Sequence, residues 1–167
     1  MFRVRNIKIS VKIKHQPLDN VITKLKKRNI TVKSFSNFIS FQHKFTYVFF
    51  KSGQKLTNHI NITQIAQVSK IKKALSNLRV LLKCNIVSVK IDNIIATTDT
   101  CQQINLRKLL KDQNFKIKKY NNEIFPGLFA KFKKGTAIIF HSGKVVIVGC
   151  KKLHHIPWII QQITRHI

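Results

Sequence analysis

Residues 35–53, FSNFISFQHKFTYVFFKSG, align without gaps onto residues 125–143, FPGLFAKFKKGTAIIFHSG. Phe35 meets Phe125, Lys44 meets Lys134, Thr46 meets Thr136 and Phe50 meets Phe140, and a Ser-Gly pair closes both stretches. Apolar residues fill the gaps: Phe38 with Leu128, Ile39 with Phe129, Val48 with Ile138 and Phe49 with Ile139. A second, shifted register lays VRNIKIS (4–10) over IDNIIAT (91–97), so that Asn6 meets Asn93 and Ile7 meets Ile94. Matches in the same order over two separated segments imply a duplicated unit. Two repeats are therefore expected, residues 1–83 and 84–167. No Gly/Ser- or Pro-rich linker divides them, which favours one pseudo-symmetric sheet over two independent beads.

Each repeat reads in the same order. An alternating strand opens it, VRNIKISVKI in the first half, with a polarity too mixed to name the buried face. A helix follows, marked by Leu18, Val21, Ile22 and Leu25 in one half and by Leu106, Leu109 and Leu110 in the other. Three or four strands come next, broken at QHK, KKG and Ser-Gly. A longer helix closes each half. Ile65, Val68, Ile71, Leu75 and Leu78 mark the first, and Ile156, Ile159, Ile160, Ile163 and Ile167 the second, with Pro157 tolerable in its opening turn. The expected class is α+β, an antiparallel sheet with helices on one face only.

Charge narrows the partner. The chain has 32 Lys and Arg against Asp19, Asp92, Asp99, Asp112 and Glu123, a net +27. Such an excess repels itself unless a polyanion neutralises it, so nucleic acid leads, with ribosomal and anionic-surface binders as competing classes. Hydrophobic residues make up 44 % of the chain, enough for a packed core rather than a disordered basic tail. Cys84, Cys101 and Cys150 are an odd number without C-x-x-C spacing, so neither a zinc site nor a disulfide framework is expected. Five scattered acids provide no paired-carboxylate or metal-hydrolysis constellation. No catalytic residue, metal or cofactor is expected, and no enzyme. No run of about 18 uncharged apolar residues occurs, so no membrane partner is expected either.

Taken singly, Phe50 or Phe140 at a strand end is an ordinary core residue. The interval from Phe35 to Phe50 is the same as that from Phe125 to Phe140, and Ser-Gly follows both. A core does not require that interval twice, so all four rings are expected on an exposed face. The stretch EIFPGLFAKFKKGTAIIFHSGKVVIVGCKK (123–152) resembles the second repeat of the TATA-box-binding protein family. KIDNIIATTD (90–99) resembles the asparagine-bearing first strand of that repeat, and VRNIKISV and FFKSGQ match the first repeat more faintly.

The resemblance implies a saddle: a curved antiparallel sheet astride the minor groove of A·T-rich or TATA promoter DNA, with helices on the convex back. It assigns Phe125 with Phe140, and Phe35 with Phe50, to two intercalating pairs, Pro126 standing beside the first. Asn6 and Asn93 fall on the two asparagines that donate to base acceptors. Val48, Leu56, Ile95, Ile138 and Val146 fall on groove-lining positions, and Lys131 and Lys144 on phosphate contacts. Glu123 and Ile124 fall in the stirrup that takes a transcription factor IIB-like partner; a IIA-like factor is also implied. The chain departs from the pattern at Lys8, where an apolar residue is expected, and at Gln54, opposite Lys144. It also has Asn58-His59 and Val148-Gly149 where the family commonly has Thr-Gly.

The function implied is a general transcription initiation factor that kinks promoter DNA and recruits other factors and the polymerase. It would work in the nucleus, or in a viral or organellar compartment of an A·T-rich genome. The competing reading is a non-catalytic module of a nucleic-acid-processing or ribonucleoprotein complex. Weak self-association through the exposed face is expected without DNA.

Overall fold

The computed structural model describes residues 1–14, 17–113 and 117–167. Contacts divide the chain into two compact units, one of Asn6–Ile91 and one of Met1–Arg5 with Asp92–Ile167. The repeat boundary expected at 83/84 falls just ahead of the strand Ile86–Asp99, whereas the division between the units falls inside that strand, at 91/92.

The Asn6–Ile91 unit holds most of β1 (Phe2–Ile13), then α1 (Leu18–Lys26), β2 (Val32–Ser34), β3 (Phe38–His43), β4 (Phe45–Ser52), β5 (Lys55–Ile65) and α2 (Lys70–Leu82). Its strands lie in the order β2-β3-β4-β5-β1, with every registered pair antiparallel. The other unit holds most of β6 (Ile86–Asp99), then α3 (Leu106–Lys111), β7 (Ile117–Asn121), β8 (Phe125–Phe132), β9 (Gly135–Phe140), β10 (Lys144–Cys150) and α4 (His155–Thr164). Its order is β6-β10-β9-β8-β7, again antiparallel throughout.

Alternation assigns the faces. Tyr47, Phe49, Ile60 and Ile62 are fully buried, whereas Val48 and Asn61 between them are only half-buried. Tyr47 Oη donates to the Ala74 carbonyl of α2 at 3.2 Å, so the buried set faces the helices. Burial pushes the Tyr47 phenol up, while the bond from Asn77 Nδ2, at 2.8 Å, opposes that. In the other unit Ala137, Ile139, Val145 and Ile147 are buried, and α4 packs on β9 and β10.

The two cores fill this layer in opposite ways. Phe41 lies across from Tyr47, and their rings stack 4.9 Å apart beneath a helix that presents Ala74. The matching strand pair is Ala130 with Ala137, and α4 presents Ile159, which reaches Gly135. Large strand residues meet a small helix residue in one unit, and the reverse holds in the other. Volume is conserved, as close packing demands.

The helices begin and end for local reasons. Asn105 caps α3, its side chain accepting from the Lys108 N–H at 3.0 Å. Lys83 ends α2 in a left-handed conformation. Pro157 occupies the first turn of α4, as the sequence suggested. The stripe expected for α2 begins too early, however. Ile65 is the buried last residue of β5 and Val68 is exposed ahead of the helix, while Ala74, Leu78, Leu81 and Leu82 form the buried face. A strand's final apolar residue satisfied the helical spacing by coincidence. Ile167 lies beyond α4, and Leu110 is exposed on α3.

Candidate nucleic-acid interface

Each unit leaves one sheet face without helices. Four aligned positions cross that face in each unit, fixed by strand register. In one they are Ser40, Val48, Asn61 and Ser10. In the other they are Phe129, Ile138, Val146 and Thr97. Lys8, between buried Ile7 and Ile9, matches Ile95, between buried Ile94 and Ala96.

The asparagines are held alike. β5 carries an irregularity between its pairings Ile7↔Ile65 and Ile9↔Ile62, and β10 carries one between Ile94↔Cys150 and Ala96↔Ile147. Each bulge turns a backbone N–H toward the asparagine on the neighbouring strand. The Gln64 N–H donates to Asn6 Oδ1 at 2.9 Å, and the Gly149 N–H donates to Asn93 Oδ1 at 2.7 Å. With the amide oxygen engaged, the amide NH2 remains to donate to a partner. The bulge residues have positive φ, +65° at Gln64 and +82° at Gly149. Thr63-Gln64 is therefore the counterpart of Val148-Gly149, which corrects the sequence assignment of Asn58-His59.

The phenylalanines cluster on the uncovered faces. Phe35, Phe50 and Phe125 are 47 %, 36 % and 37 % exposed, and Phe140 is half-buried. Phe125 lies 5.8 Å from Phe140 and 5.3 Å from Phe129 between ring centres. Gly127 pairs with Phe140, and a Cβ there would come within 2.6 Å of the Phe125 ring and 3.2 Å of the Phe140 ring. The missing side chain makes room for both rings. Pro126-Gly127 lies inside β8, where proline is tolerated near a strand's start. The position matching Gly127 is Phe38, which pairs with Phe50 and stacks on Phe35 at 4.4 Å. Register shifts the ungapped alignment here by one residue: buried Ile39 matches buried Leu128.

Leu56 does not line this face. It is buried and pairs with Lys51 near the end of a longer hairpin, and Asn61 occupies the place across from Val48. Ile95, Ile138 and Val146 are half-buried on the uncovered face, as expected of them. Lys131 and Lys144 are exposed, and Lys144 helps line a groove of about 650 Å³ with Arg3, Arg5, Asp99, Phe140 and Val146. Arg5 Nε donates to Thr97 Oγ1 at 2.9 Å at that groove. Glu123 and Ile124 are exposed in the β7–β8 connection, Ile124 81 % so. Sequence reasoning missed Ser10, Asn61, Phe129 and the two arginines as face residues. For Ser10, Asn61 and Phe129, position between two buried neighbours was the available signal.

Five acidic side chains can neutralise at most five of the 32 basic ones, so the chain as a whole carries a strong positive field. Among the described residues no cluster of three or more His, Cys, Asp or Glu could hold a metal ion. No described helix is long and apolar enough to cross a membrane.

Residues 88–167 match the family "Transcription factor TFIID (or TATA-binding protein, TBP)". The second repeat thus carries the TBP-family pattern, over 80 of the 167 residues. The TATA-box-binding protein of Pyrococcus abyssi is 38 % identical over 78 residues, covering 46 % of this chain and 40 % of the relative. That of Thermococcus celer is 34 % identical over 81 residues, covering 47 % and 42 %. The matched stretch thus spans about two-fifths of either relative's length. The solved structure of Methanococcus jannaschii TBP superposes with a TM-score of 0.79 over 97 % of this chain and 95 % of that one, at 22 % identity. The whole chain therefore has the TBP fold, including the first repeat that sequence matched only faintly. TBP-family proteins are non-catalytic transcription factors, in line with the expectation that this chain is not an enzyme.

Proposed function

We propose that this chain is a transcription-initiation factor that binds A·T-rich duplex DNA through the minor groove and kinks it with phenylalanine wedges. The observation that carries the reading is the paired placement, in both repeats, of a bulge-held asparagine and an exposed phenylalanine cluster on a helix-free face.

The chemistry fits. An A·T pair offers only acceptors in the minor groove, adenine N3 and thymine O2. Asn6 and Asn93, each with its oxygen engaged by a backbone N–H, have amide donors left to meet them. Ile95, Ile138 and Val146 supply apolar surface for the groove floor, and Phe125 with Phe140 supply adjacent rings able to enter a base step. Wedge insertion is this family's known mode, carried over here by resemblance. Pyrimidine–purine steps such as TA unstack most easily, so preference arises partly without base-specific bonds. Lys131 and Lys144 stand at the rim for phosphates. If roughly eight phosphates were neutralised, log affinity would fall by about seven per decade of salt.

The same reading extends to partners and place. Exposed Glu123 and Ile124 would dock a transcription factor IIB-like protein, and a IIA-like factor would join elsewhere. The protein would act wherever its genome is transcribed, in a nucleus or a viral or organellar compartment. Equilibrium binding to duplexes with and without a TA-containing A·T tract, over a salt series, tests it. Preference for the TA-containing duplex that survives high salt is expected. Sequence-tolerant binding that vanishes with salt would leave only a charge-driven binder.

A further inference from the structure

We propose that the first repeat's uncovered face accepts a G·C base pair, with Asn61 as the residue that receives guanine's minor-groove amino group. This rests on the minor-groove reading above and specifies which base pairs each half of the site holds.

A G·C pair differs from A·T in the minor groove by the guanine N2 amino donor. Against an apolar wall that donor loses its water and finds no acceptor, an unsatisfied polar group that weakens binding. The second repeat presents such a wall in Phe129, Ile138, Val146 and Ile95, and the Thr97 hydroxyl beside it already accepts from Arg5 Nε. At the matching positions the first repeat has Ser40, Val48, Asn61 and Lys8. Three of four apolar positions are thus polar in the first repeat.

Asn61 is placed to act. It lies between fully buried Ile60 and Ile62, so its side chain points to the helix-free face, and it stands across from both Val48 and Ser10. Ser10 Oγ donates to Asn61 Oδ1 at 3.0 Å, which fixes the amide orientation. A carbonyl oxygen has two lone pairs, so Oδ1 can accept a second donor while the amide NH2 reaches base acceptors. Ser10 is the positioning residue, and Asn61 the specificity-determining one.

The test is fluorescence anisotropy with three duplexes: A·T throughout, one G·C pair in one half, and one G·C pair in each half. A two-repeat protein can sit in either orientation on a near-symmetric site. Wild type is therefore expected to bind the singly substituted duplex within about threefold of the A·T duplex, whichever half carries the change. The doubly substituted duplex is expected to bind about tenfold worse, since one G·C pair must then face the second repeat. Inosine, which lacks the amino group, should restore it. In Asn61→Val the ratio of single-G·C to A·T affinity should fall about tenfold; Ser10→Ala should lower it less. A tenfold loss by wild type on a single G·C pair overturns the proposal, as does an unchanged ratio in Asn61→Val. Failure to prefer the A·T duplex over a fully G·C one overturns the minor-groove reading itself.

Discussion

The two uncovered faces share one backbone plan and differ in what they present. Both repeats hold an asparagine by a bulge N–H on the neighbouring strand, and both set a phenylalanine toward the end of a central strand, Phe50 two residues before the end of β4 and Phe140 at the end of β9. The second then presents Ile95, Phe129, Ile138 and Val146, with Gly127 leaving room for two rings. The first presents Lys8, Ser40, Val48 and Asn61, with Phe38 filling the glycine's place. The duplicated backbone tolerates this because alternation separates the two sides of a strand. Residues facing the helices must conserve volume, whereas those facing away answer to the partner.

The largest expected effect is on folding, where the cores trade large for small. Ile159→Ala should empty the space that Ala137 and Gly135 leave to α4, costing about 2–5 kcal/mol by chemical denaturation. At the matching place Ala74→Ile should overpack against Tyr47 and cost about 1–3 kcal/mol. Equal tolerance of both changes would break the volume argument. Removing both rings in Phe125→Ala/Phe140→Ala should weaken binding to an A·T-rich duplex by about 2–4 kcal/mol, measured by anisotropy. Phe35→Ala/Phe50→Ala should cost less, because the face beside those rings carries Lys8, Ser40 and Asn61 where the second repeat is apolar.

Smaller changes sharpen the comparison at the bulges. Gly149→Gln should destabilise by about 1 kcal/mol through left-handed strain alone, since a Cβ there meets nothing nearer than 3.7 Å. Gln64→Gly should relieve the corresponding strain, offset in part by the freer unfolded chain, so its effect should be smaller and of opposite sign. Thermal unfolding of the two variants checks the signs. The smallest effect is weak self-association of the free protein through its apolar face, seen by light scattering at high salt, where charge repulsion is screened.

Much of this was legible because duplication leaves a pattern that chance does not. Phe50 with Phe140 and Asn6 with Asn93 are structurally equivalent, as aligned. Failures came where length changed without changing period. The β4–β5 hairpin is longer than its counterpart, so matching Ser52-Gly53 to Ser142-Gly143 fitted the turn but misplaced everything after it. Leu56 was therefore set where Asn61 stands. Strand alternation repeats every two residues and carries no record of how many have passed. The same slip, by one residue, exchanged the faces of Phe38 and Ile39 in the alignment with Leu128 and Phe129. The swap of Tyr47 for Ala137 lay beyond sequence, because it makes sense only once Ala74 and Ile159 are seen beneath the strands.

The most direct measurement of the central claim is the end-to-end distance of a doubly labelled A·T-rich duplex, read by energy transfer as protein is added. The account predicts a shortened distance with wild-type protein, lost in Phe125→Ala/Phe140→Ala under conditions where the variant is still bound. An unshortened duplex with wild type, or shortening that persists in the variant, would contradict it.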